Sequence, residues 1–182
     1  FFIAVGFVRP HVPFVAPKKY FDLYPWEQMT LPEKVAGDWD DIPKPGINYK
    51  TSVNMQMDLT RQKKAVSGYY AAVSFMDAQV GKVLDALEKS GQADNTTVIF
   101  TSDHGYHLGE HDFWAKVSLH DESARVPLIV SVPGKKPGMS DSLVELLDLY
   151  PTTAKLCGLD VPARLQGRDI SPILLRLVAP RA

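Results

Sequence analysis

An apolar run, Thr97-Val98-Ile99-Phe100, passes directly into Thr101-Ser102-Asp103-His104-Gly105. A hydrophobic strand ending in Asp-His-Gly delivers a carboxylate and an imidazole to the end of a sheet, where open α/β sheets hold their ligands. Gly105 lets the backbone turn sharply beside whatever is bound there. Trp114-Ala115-Lys116 follows shortly after and adds a cation. The pattern predicts a metal site that processes an anion. A blander reading stays open at this level: Asp103 caps the turn and His104 is an ordinary satisfied side chain.

The rest of the pattern predicts an α/β fold, a sheet with helices on both faces. Residues 1–7, 96–102 and 126–132 read as strands, and 143–147 as a further short one. Residues 60–89 give the clearest helix, with apolar residues from Val66 to Leu87 at steps of three and four, Thr60 as its cap and Gly91 after its end. Shorter helices are predicted over 17–23, opened by Pro17, and over 151–156, between Pro151 and Gly158. Residues 24–58 form a long connection rich in Pro, Gly and Asp. Trp26, Trp39 and Tyr49 within it suit a loop packed near a substrate pocket.

Composition narrows the function. A net charge of -1 provides no global basic field, so neither nucleic acid nor an anionic membrane is an expected partner. No segment approaches the ~20 consecutive apolar residues of a membrane span. Any anion must therefore be recognised by a local site. The single Cys157 excludes an internal disulfide framework and reads as a buried structural thiol at a helix end. The chain opens directly on a strand pattern and ends on apolar Ile173-Leu174-Leu175, so it reads as an internal segment of a longer protein.

His11 lies in the proline-braced loop Arg9-Pro10-His11-Val12-Pro13. If strands 1–7 and 96–102 are parallel neighbours, it faces Asp103 and His104. His107-Leu108-Gly109-Glu110-His111 fits an inverted zinc-peptidase signature, which needs both histidines on one helix face. Gly109 costs about 1 kcal/mol against helix, and the segment lacks an apolar stripe, so that reading is disfavoured. Glu122 and Arg125 read as a local ion pair. Asn95-Thr96-Thr97 is a glycosylation acceptor sequence.

Gly6-Phe7-Val8-Arg9-Pro10-His11-Val12-Pro13-Phe14, Tyr69 to Asp77, Thr101 to Gly105, Leu108-Gly109-Glu110-His111 and Trp114-Ala115-Lys116 together resemble the sulfatases of the alkaline phosphatase superfamily, iduronate-2-sulfatases above all. Arg125 to Ile129 and Gly167-Arg168-Asp169 also look like stretches of that family. The resemblance runs from Phe1 to about Leu175. It implies one catalytic domain spanning residues 1–182, with more of it on other parts of the polypeptide.

The resemblance implies hydrolysis of sulfate esters on a saccharide, such as a 2-sulfated uronic acid. The nucleophile would be a formylglycine made in a C/S-x-P-x-R motif, assisted by a divalent metal, usually Ca²⁺. Asp103 and His104 match metal ligands. Lys116 matches the lysine that contacts the sulfate, and His11 a histidine near the leaving oxygen. Both are thus catalytic and substrate-binding candidates. Tyr106 stands where the sugar is approached, but differs from the family's usual aromatic. Cys157 lies in Cys-Gly-Leu-Asp-Val, so the formylglycine is expected upstream and the segment alone is expected to be inactive. The resemblance also implies an extracytoplasmic setting. Two alternatives remain: a phosphoesterase of the same superfamily, and a non-catalytic saccharide-binding homologue.

Overall fold

A computed structural model describes residues 1–46 and 57–176. Tyr49 and the end of the 24–58 connection lie largely outside them. The fold is α/β: a small sheet with helices before, between and after its strands. The helices are α1 (Lys18–Phe21), α2 (Leu59–Lys89), α3 (Asp121–Ala124), α4 (Leu149–Leu156) and α5 (Ser171–Arg176), and the strands are β1 (Val98–Thr101) and β2 (Leu128–Ser131). The chain divides into two compact units. One comprises Phe1–Ala86 with His104–Val126, the other Leu87–Asp103 with Pro127–Ala182.

In the first unit, α2 supplies the packing surface. Val66, Ser67, Gly68, Ala71 and Ala72 are its buried residues. Small side chains here let the chain after the first prolines approach closely: a Cβ on Gly68 would sit 3.2 Å from the Phe14 Cβ. Phe14 then packs edge-on to Tyr69, with ring centroids 5.5 Å apart. The cap differs from the sequence expectation. Helix α2 starts at Leu59, so Thr60 is already inside it. The carboxylate of Asp58 accepts the Arg61 N–H at 2.8 Å and does the capping.

The 24–58 connection is anchored along its described length. Tyr24 Oη lies 2.7 Å from Ser74 Oγ, and Ser67 Oγ donates to the Tyr24 carbonyl at 2.6 Å. Trp39 Nε1 donates to the His111 carbonyl at 3.0 Å. Short 3₁₀ turns at Trp26–Gln28 and Lys44–Gly46 punctuate it.

In the second unit, β1 and β2 pair antiparallel, with Ile99 opposite Val130 and Phe100 opposite Ile129. Residues 1–7 do not form the expected strand. Among the described residues no strand pairs with them, so their backbone has no ladder to join, and Phe1, Phe2 and Ile3 are strongly exposed. Parallel pairing of 1–7 with 96–102 is therefore absent.

The expected strand at 143–147 is also absent. Instead Glu145 and Asp148 form a reciprocal capping box around the 3₁₀ turn Leu146–Asp148, which leads straight into α4. The Asp148 carboxylate, 1% accessible, also accepts the Arg168 N–H at 2.7 Å. Those two backbone N–H donors, from Arg168 first and Glu145 next, hold its carboxyl below the usual carboxylate range, against the opposing effect of burial. Gly167 permits the approach, since a Cβ there would meet the Leu147 carbonyl oxygen at 2.1 Å. Helix α4 buries Pro151, Thr152 and Ala154. Cys157 follows at its C-cap and is exposed, which corrects the reading of a buried thiol.

Candidate active site and metal-ligand cluster

The loop after Val8 turns on the His11 N–H, which donates to the Val8 carbonyl at 2.9 Å. Its Arg9-Pro10 and Val12-Pro13 peptides are cis. Arg9 Nη1 donates to the His11 carbonyl at 2.9 Å. The imidazole donates from Nδ1 to the Val12 carbonyl at 2.7 Å, so Nε2 carries the lone pair of the neutral ring. Lys116 Nζ lies 3.3 Å from that Nε2. The two residues are 105 positions apart in the chain. With its hydrogen on Nδ1, the imidazole takes the ammonium contact through Nε2.

Two features bring these residues together. The segment 107–115 folds back on itself: His107 N–H donates to the Ala115 carbonyl at 2.8 Å, and Gly109 N–H to the Phe113 carbonyl at 3.0 Å. Gly109 sits at φ 118°, and a Cβ there would meet the Trp114 ring at 2.9 Å. The second feature is aromatic. Tyr106 stacks on Tyr69 at 5.8 Å and meets Phe14 edge-on at 5.7 Å, while its hydroxyl donates to the Trp114 carbonyl at 3.4 Å. Phe14 belongs to the His11 loop and Trp114 to the Lys116 segment, so this cluster joins the two. Burial pushes the Tyr69 and Tyr106 phenols up, so both stay protonated and apolar in character at neutral pH.

Asp103 ends the stretch after β1 and is exposed. His104 is half-buried and donates from Nδ1 to the Gly105 carbonyl at 2.8 Å, which places the lone pair on Nε2, the tautomer a metal ligand needs. Gly105 does not adopt a left-handed conformation. Its role is close approach: its N–H donates to the Ser123 carbonyl at 2.8 Å, and a Cβ would lie 2.1 Å from the Glu122 carbonyl oxygen.

The zinc-peptidase pattern fails on backbone geometry. Gly109 and His111 have positive φ, so His107 and His111 do not share a helix face. The Glu110 carboxylate accepts the Leu108 N–H at 2.6 Å. His107 is fully buried and hydrogen-bonds Ser118 Oγ through Nε2 at 2.7 Å. Burial pushes its imidazolium down, opposed in part by the Glu122 carboxylate.

His111, His120 and Glu122 form a further group. One ligand atom from each lies within 4.8 Å of the others, a set that can hold a divalent cation. Sequence reasoning missed His120, and took Glu122 for the partner of Arg125. Arg125 instead faces Asp121 at 3.8 Å, and Glu122 faces His111 at 3.5 Å. No periodicity connects the three residues, because a turn and a short helix bring them together.

The Sulfatase family profile matches residues 1–159. The chain belongs to the sulfatase family. A sulfatase from Formosa agariphila is 40% identical over 93% of this chain and 35% of that protein. Human iduronate 2-sulfatase is 37% identical over 90% of this chain and 37% of that protein. The likeness is thus to several sulfatases at similar identity, and iduronate-2-sulfatase is not singled out. Among solved structures, a phosphonate monoester hydrolase from Silicibacter pomeroyi superposes with TM-score 0.83 at 28% identity, over 97% of this chain and 37% of that one. The architecture of this sulfatase-family chain is that of the alkaline phosphatase superfamily. The chain spans little more than a third of the length of these relatives. Among the described residues, no helix of this sulfatase-family chain is long and apolar enough to cross a membrane.

Proposed function

We propose that this chain contributes part of the active site of an ester hydrolase acting on a tetrahedral oxyanion, a sulfate or a phosphate or phosphonate monoester. The observation that carries this reading is the contact of Lys116 Nζ with His11 Nε2. A cation and an imidazole held together across a long stretch of chain set two hydrogen-bonding groups side by side where one anion can be held. Fixed donors of this kind stabilise charge that develops in the transition state without reorganising. Lys116 retains ammonium hydrogens for a non-bridging oxygen. His11, once protonated at Nε2, faces the leaving oxygen as a donor.

Asp103 and His104 are proposed as ligands of a divalent metal. An oxygen ligand suits Ca²⁺, and the Nε2 lone pair of His104 suits a softer ion, so the donor set alone favours neither. A bound metal would polarise an oxygen of the transferring group. Tyr106, within its aromatic cluster, is proposed to flank the substrate's organic part, and the 24–58 connection to border the same pocket. A formylglycine on another part of the polypeptide would supply the nucleophile. A sulfated saccharide, including a 2-sulfated uronic acid, is the substrate class drawn from the sulfatase relatives, and an extracytoplasmic setting belongs to the same analogy. The phosphonate monoester hydrolase likeness supports the phosphoester reading at least as strongly.

The test is hydrolysis of matched aryl sulfate, aryl phosphate and aryl phosphonate esters by the whole polypeptide that carries these residues. Turnover of one class, reduced by Lys116→Ala and by His11→Ala, is the expected result. Turnover of none, or rates indifferent to both substitutions, would overturn the reading.

A further inference from the structure

We propose that His111, His120 and Glu122 form a second cation site, for a zinc-class transition metal, distinct from the Asp103–His104 pair. This goes beyond the hydrolase reading and does not depend on it. All three residues lie in the unit that carries His11 and Lys116.

The first argument concerns protons. Nδ1 of His111 lies 2.8 Å from Oδ2 of Asp38. A carboxylate only accepts, so Nδ1 carries the hydrogen and Nε2 of the neutral ring carries a lone pair. That Nε2 faces Glu122 Oε2 at 3.5 Å. Glu122 Oε2 is buried and receives no hydrogen bond. A buried carboxylate oxygen with no hydrogen bond thus stands opposite the ring nitrogen that Asp38 leaves available, and a cation held between them would satisfy both.

The second argument is metric. Ligand atoms about 2.1 Å from a tetrahedral zinc lie about 3.4 Å from each other. The 3.5 Å separation of His111 Nε2 and Glu122 Oε2 matches that edge. The His120 ring stacks on His111 with centroids 4.0 Å apart and planes at 19°. One of its ring nitrogens lies within 4.8 Å of the other two ligand atoms.

The third argument is the outer partner. Asp38 on the Nδ1 of His111 is the carboxylate–histidine arrangement that orients metal-ligating imidazoles and raises their basicity. Two nitrogens and one carboxylate select a zinc-class ion over Ca²⁺, which prefers oxygen alone. A metal here would clip together the Asp38 loop, the turn at Glu110–Asp112 and α3. It would leave a fourth position for water.

The experiment strips the protein with chelator and titrates it with Co²⁺, then displaces Co²⁺ with Zn²⁺. An Asp103→Asn background keeps the other candidate site out of the measurement. The expected result is the intense visible spectrum of four-coordinate Co²⁺, bleached by Zn²⁺ and lost in His120→Ala and Glu122→Gln. Asp38→Asn leaves every proposed ligand in place and should weaken binding by about 10- to 100-fold. It serves where a ligand substitution unfolds the loop, with circular dichroism as the check. Absence of the spectrum, or an unchanged spectrum and affinity in these variants, would overturn the proposal.

Discussion

Lys116 Nζ stands 3.3 Å from His11 Nε2, although 105 positions separate them in the chain. Neither residue alone distinguishes itself from a surface lysine or a loop histidine. Their contact makes them one unit, and it makes an energetic coupling between them measurable. Lys116→Ala is expected to lower kcat/KM for the preferred ester by about 10²- to 10³-fold, the scale of losing one oxyanion donor. His11→Ala should cost a similar factor. The double variant should lose less than the product of the two, because contacting residues are not additive. Strict multiplicativity in the double-mutant cycle would show that the pair does not act together.

Phe14→Ala tests what holds that pair in place. The ring bridges Tyr69 and Tyr106, and each aromatic contact is worth about 0.5–1.5 kcal/mol beyond its buried area. The two ring contacts alone set an expected stability loss of about 2 kcal/mol, read from urea unfolding. The His11–Lys116 coupling energy should fall with it, because Phe14 fixes the loop that carries His11.

Gly105→Ala should destabilise the protein by about 3 kcal/mol, the upper range for forced overpacking. The added Cβ would lie 2.1 Å from the Glu122 carbonyl oxygen, which is backbone and cannot rotate away. A thermal melt within a degree or two of the parent would contradict this account of why glycine follows His104.

Asp148 carries a defined pH dependence. Its native carboxyl titrates below the ordinary value of 3.8, held there by the Arg168 and Glu145 N–H groups. Between these two values the unfolded chain binds more protons than the native one, so stability rises with pH across that window. The contribution is fully present above about pH 5 and is lost as acid titrates the native carboxyl. Asp148→Asn should flatten the acid limb of the stability profile. It should also cost about 2 kcal/mol at neutral pH, through the weakened cap and the lost charge-assisted bonds.

Cys157 should react with a disulfide reagent such as Ellman's in the native state. Its thiol is exposed at the C-cap of α4, while the buried face of that helix is formed by Pro151, Thr152 and Ala154. Full protection until denaturation would restore the buried-thiol reading.

Several of these features were legible in the chain itself. Three- and four-residue spacing marks α2, and the apolar run before Thr101 marks β1, because both signals are local. The α/β class follows from their alternation. Residues 1–7 and 143–147 looked equally strand-like. Strand formation, however, depends on a partner for the backbone donors, and a partner is not a local property. The turn at Leu146–Asp148 won because Glu145 and Asp148 supply those bonds within their own segment.

The sequence by itself determined which residue types stand near which backbone turns: Asp103 and His104 after β1, His11 between its prolines, Lys116 after Trp114. Only the tertiary structure decided which of them meet. Lys116 finds His11 because Phe14, Tyr69 and Tyr106 pack two distant loops onto one face of α2. His111 finds Glu122 and His120 because Gly109 and His111 take backbone angles that no helical spacing anticipates. Side-chain partnership across a chain is set by packing and by a few left-handed or crowded backbone positions, and neither is written in any periodicity.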